Sequence, residues 1–123
     1  MLTLDHVQLA APAGCEDAAR AFFVGLLGLE EKPKPASMQA SGGVWFVAGM
    51  LELHVGVQAN FRPAKKAHVG LRAGNVPVLE ALAVRLEAAG HAPRWDARLP
   101  GFKRFFVDDP WGNRLEVLAA EGQ

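Results

Sequence analysis

The sequence predicts an α+β protein built from two tandem βαβββ modules, and three observations lead there. The run His6-Val7-Gln8-Leu9-Ala10-Ala11 returns sixty-two positions later as His68-Val69-Gly70-Leu71-Arg72-Ala73, sharing a His-Val-x-Leu-x-Ala pattern. Each copy is followed by one apolar stripe at helical spacing and then by short alternating segments. A polar, proline-containing connection, Asn60-Phe61-Arg62-Pro63-Ala64-Lys65-Lys66, lies at the arithmetic middle. Self-similarity at this period describes the whole fold, so it outranks any single-residue argument. The modules are residues 1–59 and 60–123 of one domain.

Residues 2–10 read as a strand with Leu4, His6, Gln8 and Ala10 on one face and Asp5, Val7 and Leu9 on the other. Pro12-Ala13-Gly14 ends it. Glu16 and Asp17 stand where negative charge favours a helix start, and Ala19, Phe22, Phe23, Leu26 and Leu27 form the helical stripe. Gly28 stops that helix because it takes a left-handed conformation without penalty. Pro33 and Pro35 restrict residues 31–42 to an edge strand or an extended loop before the Ser41-Gly42-Gly43 turn. Val44-Trp45-Phe46-Val47 is the next strand. Leu51, Leu53 and Val55 then alternate with Glu52 and His54.

The second copy repeats the order. Strand 66–73 leads to Asn75 as a helix cap and to Leu79, Leu82, Ala83 and Leu86 on one apolar face, closed by Gly90. Pro77 falls in the first turn, where a missing N–H costs little. Strands near 92–96, 102–108 and 113–119 follow, the last two joined by Asp109-Pro110-Trp111-Gly112-Asn113, a strong turn sequence. With the longer second hairpin turn allowed for, Phe46-Val47 corresponds to Phe106-Val107 and Leu51-Glu52-Leu53 to Leu115-Glu116-Val117. In that alignment His54 answers to Leu118.

Composition narrows the function. Over 123 residues, 13 Lys plus Arg balance 13 Asp plus Glu, so no net field draws the chain to nucleic acid or acidic lipid. No run of roughly 18 apolar residues is present to span a membrane, and no signal-like start appears. A single cysteine, Cys15, excludes an internal disulfide and fits a reducing compartment, the cytoplasm. Tyrosine is absent, which removes it from every catalytic scheme.

Two repeats then coincide: histidines at 6 and 68, and glutamates at 52 and 116, all on the strand faces opposite Val and Leu. With a helix covering the apolar face of each sheet, the other face becomes a concave surface lined by these four side chains. Imidazole and carboxylate donors together suit a divalent ion such as Zn, Ni, Co, Mn or Fe(II), with positions left for water or substrate. His54 shares the face of Glu52; it replaces Glu52 as ligand, bonds a ligand or substrate, or caps a strand end. Gln8, Phe46, Arg72, Arg104 and Phe106 fall on the same alternation as substrate-lining candidates, a mixed wall of the kind small-molecule sites use. Core packing is the alternative for the phenylalanines, and a salt bridge, with Asp108 for instance, for the arginines. Trp45 and Trp111 are expected at the sheet back or the hairpin tip.

Leu4-Asp5-His6-Val7, Phe23-Val24-Gly25-Leu26-Leu27-Gly28-Leu29, Lys66-Ala67-His68-Val69 and above all Asp109-Pro110-Trp111-Gly112-Asn113-Arg114-Leu115-Glu116 resemble the vicinal oxygen chelate superfamily along essentially the whole chain. That superfamily includes glyoxalase I, fosfomycin-resistance thiol transferases, bleomycin-resistance proteins and extradiol dioxygenases. The resemblance implies paired βαβββ modules forming a curved, cup-like mixed sheet, helices outside, commonly in a homodimer. It matches His6, His68 and Glu116 to metal ligands and Glu52 to the fourth ligand of glyoxalase I, with Glu52 or Glu116 moving a proton at carbon. The absence of tyrosine counts against the dioxygenases and the thiol transferases, and no glutathione-binding motif stands out.

The reading that follows is a homodimeric, glyoxalase-like metalloenzyme of isomerase or lyase type acting on a small molecule through its vicinal oxygens. Its rivals are a metal-free bleomycin-resistance-type binding protein and a fosfomycin-type thiol transferase.

Overall fold

The computed structural model describes residues 1–122, which fall into two compact units, the first ending at Pro63 and the second beginning at Ala64, each a four-stranded mixed sheet with helical cover on one face. The α+β class and the tandem βαβββ modules are as the repeat predicts.

In the first unit β1 (Val7–Ala11) pairs in parallel with β4 (Leu51–Val57), followed in the sheet by β3 (Val44–Ala48) and β2 (Glu30–Lys32). The strand expected over 2–10 therefore begins later, and His6 lies immediately before it. Helix α1 (Glu16–Ala19) runs on as a π-helical segment, Arg20–Leu26, in which the Leu27 N–H reaches back five residues to the Phe22 carbonyl at 3.0 Å. The wider turn brings adjacent Phe22 and Phe23 under the sheet together, both fully buried. Phe23 stacks on Phe46 of β3 with ring centroids 5.3 Å apart. Residues Ala36–Ser41 form a short 3-10 helix instead of an extended loop, its start set by Pro35. At Gly43, with φ of 87°, an added Cβ would collide with the Val55 carbonyl, so this entry to β3 requires glycine.

The second unit repeats the plan with β5 (Val69–Arg72), α2 (Val76–Ala88), β6 (Arg94–Asp96), β7 (Phe102–Asp108) and β8 (Arg114–Ala120), in sheet order β5-β8-β7-β6. The Asn75 side chain caps α2 by accepting the Val78 N–H at 2.9 Å, and Pro77 lies in the first turn. Leu79, Leu82, Ala83 and Leu86 pack with Phe105, Val107, Leu115, Val117 and Ala119 as the core. The Asp109-to-Asn113 turn ties the hairpin to the start of the unit. Asp109 Oδ1 accepts the N–H groups of Trp111 and Asn113, and the Asn113 amide donates to Asp109 Oδ2 at 2.8 Å. Asn113 Oδ1 accepts the Ala64 N–H at 2.9 Å, and the Ala64 carbonyl accepts the Arg114 N–H at 2.9 Å. The motif that carries the family resemblance is thus first a structural clasp. Burial pushes the Asp109 carboxyl up, against the pull of its bonds from Asn113.

Candidate functional site

Strand register decides which residues are equivalent between the units. Val7 pairs with Leu53 and Gln8 with His54; Val69 pairs with Leu115 and Gly70 with Glu116. With His6 matched to His68, the counterpart of Glu116 is His54, and the counterpart of Glu52 is Arg114. The antiparallel ladder agrees, since His54 pairs with Trp45 and Glu116 with Phe106. The expected correspondence of Glu52 with Glu116 is therefore two residues out of register. A countable signal was present: forty-eight positions separate His6 from His54 and, likewise, His68 from Glu116.

The same register moves two aromatics. Phe46 points to the helix side and is fully buried against Phe23, so it does not line the face that carries the histidines. Trp45 takes that position instead of packing at the sheet back. Its indole stacks on His54 at 4.0 Å and 4°, and His54 stacks on His6 at 4.2 Å and 16°, a three-ring sandwich that leaves His54 5% exposed. Glu116 has no ring to lay on Phe106 as His54 lies on Trp45, which is why the first unit builds a stack and the second does not.

In the first unit His54 Nε2 lies 2.8 Å from Glu52 Oε2, and Lys32 Nζ lies 3.0 Å from Glu52 Oε1 and 3.2 Å from Oε2. The His54 bond first, then Lys32, holds the Glu52 carboxyl below its ordinary range. His6 Nδ1 lies 2.8 Å from Asp5 Oδ1, so its N–H faces the carboxylate and Nε2 keeps the lone pair. The Gln8 amide folds across Gly56, where an added Cβ would come within 2.6 Å of its nitrogen.

In the second unit His68 Nδ1 lies 2.9 Å from the Lys66 carbonyl and Nε2 lies 3.0 Å from Glu116 Oε1. Both ring nitrogens face acceptors. Which nitrogen donates depends on the ring tautomer, and a neutral ring donates to one of the two oxygens. Glu116 Oε2 accepts Arg104 at 3.2 Å, and Arg104 also pairs with Asp96, not with Asp108 as anticipated. Asp108 is held by Arg94 and Lys65. Phe106 lies edge-on to His68 at 5.8 Å with Arg104 over its ring at 5.1 Å, and Arg72 covers Phe102 at the other end of the strand face. A concavity of about 1070 Å³ beside α2 and β6 is lined by Val84, Trp95 and Lys103 among others; neither His68 nor Glu116 borders it.

The donors fit a divalent ion unevenly. Among the described residues no group of three or more His, Cys, Asp or Glu converges. Instead, each unit offers donors in a small set. His68 Nε2 and Glu116 Oε1, 3.0 Å apart, set an imidazole and a carboxylate side by side, donor types that would hold a divalent ion. The Lys66 carbonyl on Nδ1 and Arg104 on Oε2 are the outer contacts that orient such ligands. His6, held by Asp5, has the same preparation. Glu52 fits less well, with both oxygens already engaged by Lys32 and His54. Sequence reasoning missed Lys32, Trp45 and Asp96, which reach these side chains only through strand pairing.

No protein-family model matches the chain, and no curated protein does. Among solved structures, a glyoxalase family protein from Bacillus anthracis is 40% identical over 98% of this chain and 97% of its own, with a TM-score of 0.91. A lactoylglutathione lyase from Agrobacterium tumefaciens is 23% identical, covering 97% and 96%, with a TM-score of 0.69. The fosfomycin resistance protein FosX from Listeria monocytogenes is 15% identical, covering 99% and 96%, with a TM-score of 0.79. The last two likenesses speak for the fold.

Proposed function

Because this chain belongs to the glyoxalase family of the vicinal oxygen chelate superfamily, we propose that it is a divalent-metal enzyme of isomerase or lyase type acting on a small molecule with vicinal oxygens. The observation that carries the reading is His68, whose Nδ1 is committed to the Lys66 carbonyl while Nε2 faces Glu116 Oε1. His6, His68 and Glu116 are the proposed ligands. A divalent ion bound there supplies Lewis acidity to the substrate oxygens.

The remaining roles belong to the chain's own groups. Glu52, kept ionised by His54 and Lys32, is the proposed base, accepting a proton on a carboxylate oxygen. His54 is a positioning residue, its ring clamped by Trp45 and His6 so that Nε2 stays on Glu52 Oε2. Arg104 orients Glu116 and neutralises its second oxygen. Gln8, Arg72 and Phe106 border the substrate. No helix among the described residues is long and apolar enough to cross a membrane; a cytoplasmic homodimer is part of the proposal.

Metal content of protein purified without a chelating tag tests this, with His6→Ala and His68→Ala as controls. Stoichiometric metal in the wild type, lost in both variants, is the expected result. A wild type that is empty and takes up no added Ni, Zn or Mn refutes it. That outcome would favour the second reading, a metal-free binding protein. Its supporting observation is that Lys32 and Arg104 already neutralise both carboxylates.

A further inference from the structure

Helix α2 carries two stripes. Leu79, Leu82, Ala83 and Leu86 enter the core, while Glu80, Val84, Glu87 and Ala88, at the same helical spacing, line a cavity of about 1070 Å³ between the helix and β6. Val84 is left 69% exposed there, and Trp95, across the cavity on β6, 48% exposed. Small-molecule sites run to roughly 300–1,000 Å³ and combine apolar walls with a few polar groups, and this cavity has both the size and the walls. Trp95 pairs with Phe105, on the side of the sheet opposite Phe106 and Glu116, so the cavity is separate from the proposed metal site.

The charges of the cavity select its ligand. Four carboxylates, Glu80, Glu87, Asp96 and Glu121, line it against two cations, Lys103 and Arg104. Lys103 is bound to Glu80 at 2.7 Å and Arg104 to Asp96 at 3.2 Å, which leaves Glu87 and Glu121 without a counter-charge. Of the 13 acidic side chains, those two and Glu30 alone make no hydrogen bond or ion pair among the described residues, so the unpartnered acids concentrate at this cavity. The Trp95 indole stands edge-on to Phe105 at 5.1 Å, which fixes it, and already carries an ammonium, Lys103 Nζ, over its ring at 4.9 Å.

We propose that this cavity is a binding site for a small amphiphilic organic cation, an ammonium carried on an aromatic or branched apolar body. Trp95 and Val84 take the body, and Glu87 and Glu121 supply the counter-charge. Both carboxylates are exposed at the rim, so apolar and cation–π contacts carry most of the affinity while the charges decide which ligand is accepted. An anion is repelled, and a neutral ligand gains nothing from the two acids.

The test titrates benzyltrimethylammonium and, as an uncharged counterpart, benzyl alcohol into the full chain, following the indole N–H resonances of Trp45, Trp95 and Trp111 by NMR. The expected result is a saturable shift at Trp95 with a midpoint below about 10 mM for the cation, an unmoved Trp45, and binding at least about 5-fold weaker for the alcohol. The double variant Glu87→Gln with Glu121→Gln, changed only at exposed carboxylates, should lose about 5-fold for the cation and stay within about 2-fold for the alcohol. No saturation at Trp95, equal affinity for the two probes, or a double variant that keeps the cation or loses both probes equally overturns the proposal. A Trp95 resonance that moves when the protein alone is diluted assigns the cavity to a second copy of the chain, and overturns it as well.

Discussion

Replacing Asn113 by alanine should unfasten the clasp that joins the β7–β8 turn to the start of the second unit. Asn113 is 2% exposed, and its side chain bridges Asp109 Oδ2 at 2.8 Å and the Ala64 N–H at 2.9 Å. Removing it leaves the Ala64 N–H without its acceptor, about 1–3 kcal/mol, and takes from a buried carboxylate a charge-assisted bond worth about 1.5–3 kcal/mol. Shared solvent entry makes these less than additive, so the expected loss is about 3–4 kcal/mol, a large share of the roughly 5–15 kcal/mol typical of a domain. Urea denaturation followed by tryptophan fluorescence reads the loss directly. A second readout is specific to the mechanism: the Asp109 carboxyl, already pushed up by burial and held back by Asn113, should rise further in a carbon-13 NMR titration. A loss below about 1 kcal/mol, or an Asp109 titration that does not move, would refute the clasp.

Three further outcomes follow from the same geometry. Phe46→Ala should cost about 3–5 kcal/mol in urea melts while leaving nickel uptake unchanged, because Phe46 packs on Phe23 in the core; weakened uptake at intact folding would restore it to the face that carries the histidines. His54→Leu should let the Glu52 carboxyl titrate closer to its ordinary value of 4.5, since the His54 bond is the largest influence holding it down; an unmoved NMR titration would show that Lys32 alone suffices. Glu16 accepts the Gly43 N–H at 2.7 Å, and that bond holds its carboxyl below 4.5. Its folded-state value being depressed, its stabilisation is complete above the unfolded value and fades as pH falls below about 4.5 through the folded value. Glu16→Gln should therefore flatten the urea midpoint between roughly pH 5 and 3; an unchanged slope would assign acid sensitivity elsewhere.

Much of the fold was legible along the chain because its signals are local. Period-two alternation marks β4, β7 and β8, the stripe Leu79, Leu82, Ala83, Leu86 marks α2, and Asn75 and Gly90 punctuate it. The π-helical stretch was not legible, since it depends on how Phe22 and Phe23 pack in the core, and the 3-10 turn at Ala36–Ser41, exposed throughout and closed by local bonds such as Ser41 Oγ to the Met38 carbonyl, has no apolar pattern to announce it. The site divides the same way. His6 and His68 announce themselves by repetition, and Glu116 by its place after the turn. The cations that hold the carboxylates do not: Lys32 and Arg104 lie twenty and twelve residues from Glu52 and Glu116 and arrive across β-ladders.

Taken alone, the sequence determined the duplicated module and the family, because hydrophobic period and motif spacing are properties of neighbouring residues. Only the tertiary structure decided that His54, not Glu52, is the register equivalent of Glu116, and that Phe46 belongs to the core while Trp45 stacks on His54. The reason is that β1 pairs with β4, and β5 with β8, across long crossovers. A parallel register is set by the whole sheet, and a shift of one residue along a strand exchanges its two faces.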